Sequence, residues 1–310
     1  MEYVLRTNGL RKQYGKFRVL NGLSMNVPKG AIYGFVGKNG AGKTTLIRLI
    51  CGLQAPTEGE YTLYGISNHS KEIAKIRKRV GAVVETPSIY LDMSAEDNLK
   101  QQYHILGLPS YDDLMEKLRL VGLENVGKKK AKHFSLGMRQ RLGIAMALVG
   151  DPDFLVLDEP ANGLDPQGII EMRELILKLN REYRITVLIS SHILDELSRL
   201  ATHYGFIDDG KIVKEISAEE LKAVCRKCVR VEVSNTEALS CVLDEMGIEY
   251  KIRSSTEADV YAKVNISKLV MALAEKNCEV LSSVQEHDES LESYYMNLVG
   301  GAGHDKIVIG

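Results

Sequence analysis

Apolar and polar positions follow two different rhythms along the chain, and the change of rhythm divides it. Over residues 3–36 the segments "YVLRTNGL", "LNGLSMNV" and "AIYGFV" read as short strands, with a Pro-Lys-Gly turn at 28–30. The apolar run Ala31–Val36 feeds into a glycine-rich loop, and "KTTLIRLICG" behind it has helical spacing. From about 88 to 149, Leu, Met and Ile recur at three- and four-residue steps, which predicts a helical subdomain there. Two fully apolar runs follow, "FLVLDEP" and "ITVLISS", trailed by the helical segments "GIIEMRELILKLNRE" and "ILDELSRLA". Such runs are typical of parallel strands buried on both faces. The alternation predicts an α/β domain around a largely parallel sheet.

After "YGFIDDGKIVKEIS", an expected hairpin turning at Asp-Gly, the style changes. Residues 228–287 read strand, helix, strand, strand, helix, strand, the order of a small α+β appendage of ferredoxin-like type. The expected domains are 1–220 and 221–310, with the boundary near 218–227. Nothing in the appendage looks catalytic, and it reads as a packing or dimer-stabilising module.

Composition narrows the classes of partner. A chain of 310 residues accommodates one large domain and a small one. The formal net charge of −1, from 40 basic and 41 acidic residues, excludes a strong overall footprint for nucleic acid. Lysine and arginine cluster at 71–79 and 128–132, and both runs read as solvated faces. Five cysteines do not suggest a disulfide framework, and Cys225 and Cys228 form a lone C-x-x-C without zinc-like company. The start "MEYVLRTNGL" lacks a basic region followed by an apolar run, so no signal peptide is expected. The longest apolar stretches fall short of the roughly 18–20 residues that span a membrane. A cytosolic protein is expected, with any membrane part supplied by another chain.

The chemistry starts at Gly37-Lys38-Asn39-Gly40-Ala41-Gly42-Lys43-Thr44, which fits G-x-x-x-x-G-K-[ST] between a strand and a helix. Glycines let successive backbone N–H groups curl around phosphate oxygens, and the following helix adds its positive end. Lys43 is expected to reach the β- and γ-phosphates, and Thr44, followed by Thr45, to complete a Mg²⁺ shell. Asp158 closes the apolar run "FLVL", which places it where α/β sheets bind ligands. It is the expected carboxylate partner of Mg²⁺, while Glu159 is placed to orient or deprotonate an attacking water.

Further along, "FSLGMRQRL" at 134–142 resembles the signature motif of ABC-type ATPases, a branch of the P-loop NTPases. "NGLDP" at 162–166 is similar to that family's D-loop, and "SSH" at 190–192 to its switch histidine. Tyr14 sits where the family has an aromatic that stacks on adenine. The resemblance rests on five ordered motifs across about residues 3–217. It implies an ATP-binding, ATP-hydrolysing subunit, with Lys43, Glu159 and His192 catalytic and Asp165 in the D-loop beside the nucleotide. It also implies a head-to-tail dimer, in which ATP lies between one subunit's Lys43 and the other's Ser135 and Gly137. Ser135 suits that task as a helix N-cap, and Gly137 allows close backbone approach.

Lys38 replaces a frequent proline of the family. Leu136 and Met138 replace Gly and Gln within the signature. Glu85, followed by Thr86-Pro87, stands where most members carry a glutamine that senses Mg²⁺ and the membrane partner. Together with "SLGMRQRLGIA" and "SYYMNLVGG", this acidic loop resembles ATPase subunits of bacitracin-resistance and lantibiotic-immunity exporters. That resemblance implies a peripheral subunit on the cytoplasmic face of the cell membrane, docked to integral-membrane permease subunits beside Glu85. A soluble ABC ATPase acting on ribosomes or DNA is the alternative. It fits less well, because one chain holds one nucleotide domain and only about 90 residues separate Thr45 from Ser135.

Overall fold

The computed structural model describes residues 2–224, 227–261, 266–287 and 291–300. It divides into two units, Met1–Ala218 and Glu219–Gly310. In the first, β1 (Tyr3–Tyr14) and β2 (Phe17–Pro28) form a hairpin, and β3 (Ile32–Val36) leads to α1 (Lys43–Ile50). Next come β4 (Glu58–Leu63), β5 (Ile66–Ser67), α2 (Ile73–Arg77) and β6 (Val80–Val83). The helical stretch holds α3 (Ala95–Leu106), α4 (Leu114–Leu120) and α5 (Leu136–Ala147). The unit closes with β7 (Phe154–Asp158), α6 (Pro166–Arg181), β8 (Thr186–Ser191), α7 (Leu194–Ser198), β9 (His203–Asp208) and β10 (Lys211–Ser217).

These strands make two sheets. One is antiparallel, β2-β1-β4-β5; the other has six strands in the order β10-β9-β3-β8-β7-β6. All neighbours in the second are parallel except β10 against β9. Every residue of β3, β7 and β8 is buried, as expected for parallel strands covered on both faces. Helix α1 has only eight residues, below the ~12–15 needed for stability alone. Its Leu46, Ile47, Leu49 and Ile50 are held instead in one core with Leu5, Leu10, Met25, Phe35 and Phe154. Each such burial is worth about 1.5–3 kcal/mol.

The hairpin departs from its sequence reading. Its strands run 12 residues each rather than a few. Register shifts between Thr7 and Leu10 and again between Leu10 and Arg11 mark bulges that interrupt the two-residue alternation. Gly9, at φ 58°, lies in the first of them.

The second unit starts at α8 (Ala218–Val224), then β11 (Lys227–Val233), α9 (Thr236–Glu245), β12 (Tyr250–Ile252) and β13 (Glu257–Val260). It ends with α10 (Ile266–Glu275), β14 (Val280–His287) and α11 (Leu291–Gly300). Its antiparallel sheet has the order β12-β13-β11-β14, the ferredoxin-like pattern expected from the sequence. Cys225 and residues 262–264 of the expected strand "DVYAKV" lie outside the described residues. Val231, Val233, Leu239, Val242, Ala258 and Leu273 form the core of this unit.

Fully buried Asp259 is gripped by two arginines, Arg230 Nε at 2.8 Å from Oδ1 and Arg253 Nε at 2.5 Å from Oδ2. Burial works to raise this carboxyl, but the hydrogen bonds and charges of Arg230 and Arg253 outweigh it and hold the group below the usual aspartate range. A depressed folded-state pKa contributes stability that is complete above the unfolded value and is lost as pH falls through the folded one. Acid unfolding of the full chain should therefore show this unit losing stability only below about pH 4. Asp259→Asn should remove that dependence and cost about 3 kcal/mol at neutral pH, near the low end for breaking a buried pair because the arginines are partly exposed. Denaturant titrations at about pH 7 and about pH 2.5 check both.

Candidate active site

The loop after β3 is shaped by its neighbours. A Cβ at Gly37 would lie 2.5 Å from Ile207 Cγ2 and 2.7 Å from the Ile207 carbonyl, so the chain can pass β9 only without a side chain. Gly42 sits at φ 109° and precedes α1 without a side-chain cap. The first amides of α1 therefore keep their positive potential with no side-chain acceptor, a ready place for an anion. Ala41 is buried, and its carbonyl accepts from the Gly210 N–H at 3.2 Å.

Lys43 is almost fully buried, and its ammonium meets three oxygens. The Gly37 carbonyl is at 2.6 Å, the Lys38 carbonyl at 3.1 Å and Glu159 Oε1 at 3.3 Å. Glu159 Oε2 is in turn 3.0 Å from His192 Nδ1. The three expected catalytic residues thus form one contiguous chain. A cavity of about 290 Å³ opens beside them, lined by Asn39, Gly40, Gly42, Lys43, Thr44, Thr45 and Glu159, with Phe17 and Val19 on its rim of apolar contacts.

Asp158 lies opposite Ser190 in the β7–β8 ladder. The Ser190 hydroxyl donates to Asp158 Oδ1 at 2.5 Å. Among the described residues Asp158 Oδ2 is one of three buried side-chain polar atoms with no hydrogen-bond partner. A buried, orphaned carboxylate oxygen is costly unless a cation completes it, so the oxygen donors here, Asp158 and, in the first turn of α1 beside the cavity, Thr44, fit Mg²⁺. Next to it Glu159 adopts φ 48°, in the left-handed region, and its N–H is held by Ser190 Oγ at 2.9 Å and the Ser190 carbonyl at 3.2 Å.

The remaining candidates are placed elsewhere. Ser135 caps α5, accepting from the Met138 N–H at 3.2 Å. A Cβ at Gly137 would meet only Leu164, at 3.7 Å, so nothing within the chain demands glycine there. Asp165 caps α6 by accepting from the Gly168 N–H at 2.9 Å. Glu85, at φ 60°, is paired with Arg48 of α1. It lines a separate groove of about 710 Å³ that also holds Arg77, Gln102, Pro87 and Met146. Tyr14 is half-exposed, its hydroxyl bonded to Gln54. None of these five lines the phosphate-loop cavity.

Sequence reasoning missed Phe17, Ser190, Arg48 and Glu196. Phe17 was legible as an exposed aromatic two residues after Gly15 in the hairpin turn. Glu196 accepts from Ser191 Oγ at 3.4 Å, and burial raises its carboxyl above the usual range.

A largely parallel sheet, a glycine loop after β3 and a carboxylate pair at the end of β7, with β8 between the two strands, define a P-loop nucleoside triphosphatase. A pattern describing the ABC transporter family matches residues 20–162. The chain is 41% identical over 305 residues to the bacitracin transport ATP-binding protein BcrA of Bacillus licheniformis, covering 97% of this chain and 99% of that protein. It is 44% identical over 212 residues to the lantibiotic transport ATP-binding protein SrtF of Streptococcus pyogenes, 68% of this chain and 90% of that one. The solved structure of MJ1267, an ATP-binding cassette of an ABC transporter in its ADP conformation, matches with a TM-score of 0.65 at 28% identity, over 72% of this chain and 94% of that chain. The chain belongs to the ABC transporter family as an ATP-binding subunit, and it is an ATPase. No helix among the described residues is long and apolar enough to cross a membrane.

The placement of the two aromatics leads to a direct comparison. Phe17→Ala should weaken binding of a fluorescent ATP analogue by about fivefold or more, the scale of one lost base–aromatic contact. Tyr14→Ala should weaken it less. Titration of both variants decides which ring meets the base.

Proposed function

We propose that the protein powers export of a peptide antibiotic of bacitracin or lantibiotic type, as the ATP-hydrolysing subunit of a membrane complex whose permease is a separate chain. The observation that carries the catalytic part is Glu159, bridging Lys43 at 3.3 Å and His192 at 3.0 Å beside the loop cavity. In this reading Lys43 leaves Glu159 for the β- and γ-phosphates, and Glu159 takes the proton of the attacking water. His192 holds the carboxylate in place and contacts the terminal phosphate. Asp158 and Thr44 would hold Mg²⁺, which supplies positive charge against the triphosphate oxygens.

One chain offers only the phosphate-gripping half of a site. Gly137 has room for a side chain within its own subunit, which supports approach from outside: the nucleotide bound by one subunit would meet Ser135 of the partner subunit. Asp165 would stand at the same junction. We place the subunit on the cytoplasmic side of the membrane, with the permease docked at the groove beside Glu85. The cargo assignment rests on relatives. The BcrA match runs through both units, whereas the SrtF match is no longer than the first, which favours a bacitracin-type cargo.

Three outcomes test this. Glu159→Gln should trap an ATP-bound dimer by size-exclusion chromatography, with turnover reduced at least ~10²-fold; normal turnover removes Glu159 from its role. Affinity purification from detergent-solubilised membranes should recover a multi-span protein, and co-expression with it should raise bacitracin resistance only when Glu159 is intact. Recovery of ribosomal proteins instead would overturn the membrane assignment. In the nucleotide-bound state Glu85 would leave Arg48 for the metal or its waters. A carboxylate holds these more strongly than an amide, so Glu85→Gln should alter the Mg²⁺ dependence of resistance and turnover; unchanged values would make Glu85 a neutral replacement.

A further inference from the structure

Resting on the assignment of Asp158 to the metal and Glu159 to the attacking water, we propose that Ser190 is a positioning residue for both. Its hydroxyl lies between them, fully buried, at the register position opposite Asp158. A hydroxyl carries one proton and can accept others. An ionised carboxylate only accepts and an amide only donates, so the order of the chain is fixed. The Glu159 N–H donates to Ser190 Oγ at 2.9 Å, and the Ser190 O–H donates to Asp158 Oδ1 at 2.5 Å.

Two consequences follow. Asp158 Oδ1 is engaged, so Oδ2 is the oxygen left without a partner and available to a cation. The N–H bond to Ser190 Oγ, together with the one to the Ser190 carbonyl at 3.2 Å, also holds Glu159 at φ 48°, a conformation that non-glycine residues rarely hold without support. That backbone turn carries the Glu159 carboxylate to Lys43 and His192. Ser191 cannot substitute. Its side chain points to the other face of the strand, where its hydroxyl accepts from the Ile193 N–H at 2.9 Å and approaches Glu196. The "SSH" segment therefore contains two serines with different tasks, and the first serves the carboxylate pair.

The test uses the full-length chain with Mn²⁺ as probe, its affinity read by electron paramagnetic resonance with a non-hydrolysable ATP analogue. Ser190→Ala should weaken Mn²⁺ about 10–100-fold, the usual cost of losing a group that orients a ligand. Analogue binding without metal should stay within about twofold, because Lys43 and the loop are untouched. In turnover assays kcat should fall about 10–100-fold with KM little changed, and Ser190→Thr, which keeps the hydroxyl, should recover most of both losses. If Ser190→Ala does not fold, Ser190→Cys, of similar volume but a weak donor, carries the same comparison. Wild-type Mn²⁺ affinity and kcat in the Ala or Cys variant would overturn the inference. So would an equal loss of nucleotide binding with and without metal, which marks a packing role. Asp158→Asn separates the two levels: if it leaves Mn²⁺ affinity intact, the metal assignment itself fails. Loss of affinity there, with none at Ser190, overturns the Ser190 inference alone.

Discussion

A carboxylate at the end of a completely buried strand is the constraint around which the first unit is organised. Asp158 follows Phe154, Leu155, Val156 and Leu157, all with no exposed surface. A charge delivered to such a place is unstable unless neighbours compensate it. The parallel ladder supplies one partner by register, Ser190 opposite Asp158, and leaves the second oxygen open. Burial of the strand thus produces both the rigidity of the site and its demand for a cation. A site on a flexible loop would have solvated the same carboxylate and lost that demand.

The phosphate loop is subject to a complementary constraint, because two of its positions, Gly37 and Gly42, have no room for a side chain. Ile207 of β9 closes on Gly37, and Leu20 of the hairpin closes on Gly42. The antiparallel sheet and the parallel sheet therefore squeeze the loop from two sides, and the amides are what remains to face a ligand. Lys38 stays exposed, whereas the Lys43 side chain is buried against the loop. Its three oxygen contacts neutralise the charge while it is buried, and Glu159 among them is negatively charged and shared with His192. In the proposed mechanism, exchange of that carboxylate for phosphate would be a swap between anions rather than a new desolvation of the lysine.

How much of this was legible in the sequence depends on the range of the interaction. The parallel strands were readable because burial on both faces leaves no polar residue to confuse the period. The loop, Asp158, Glu159 and His192 were readable because each lies at a fixed offset within a short motif. The long hairpin was not, since its bulges break the alternation that marks a strand. Strand β4 opens with exposed Glu58, Gly59 and Glu60, and β5 is only the two residues Ile66–Ser67, so neither stands out from a loop in composition. Ser190 was visible only as a letter beside His192. Its role comes from pairing across 32 residues of chain, and register of that kind is written in no local pattern. Arg48 was missed for the same reason, its partner Glu85 lying 37 residues away.

Arg48 and Lys43 share α1, and that fact ties the two openings of the first unit together. Lys43 starts the helix at the loop cavity, and Arg48 sits at its far turn in the groove, paired with Glu85. At about 1.5 Å per residue the two are separated by roughly 7–8 Å along the axis. The helix is short and has four apolar residues in the core. Glu85 is held at a left-handed φ and paired with that helix. The loop cavity and the Glu85 groove are thus joined by two side chains on one helix, each engaging a carboxylate from a different strand end.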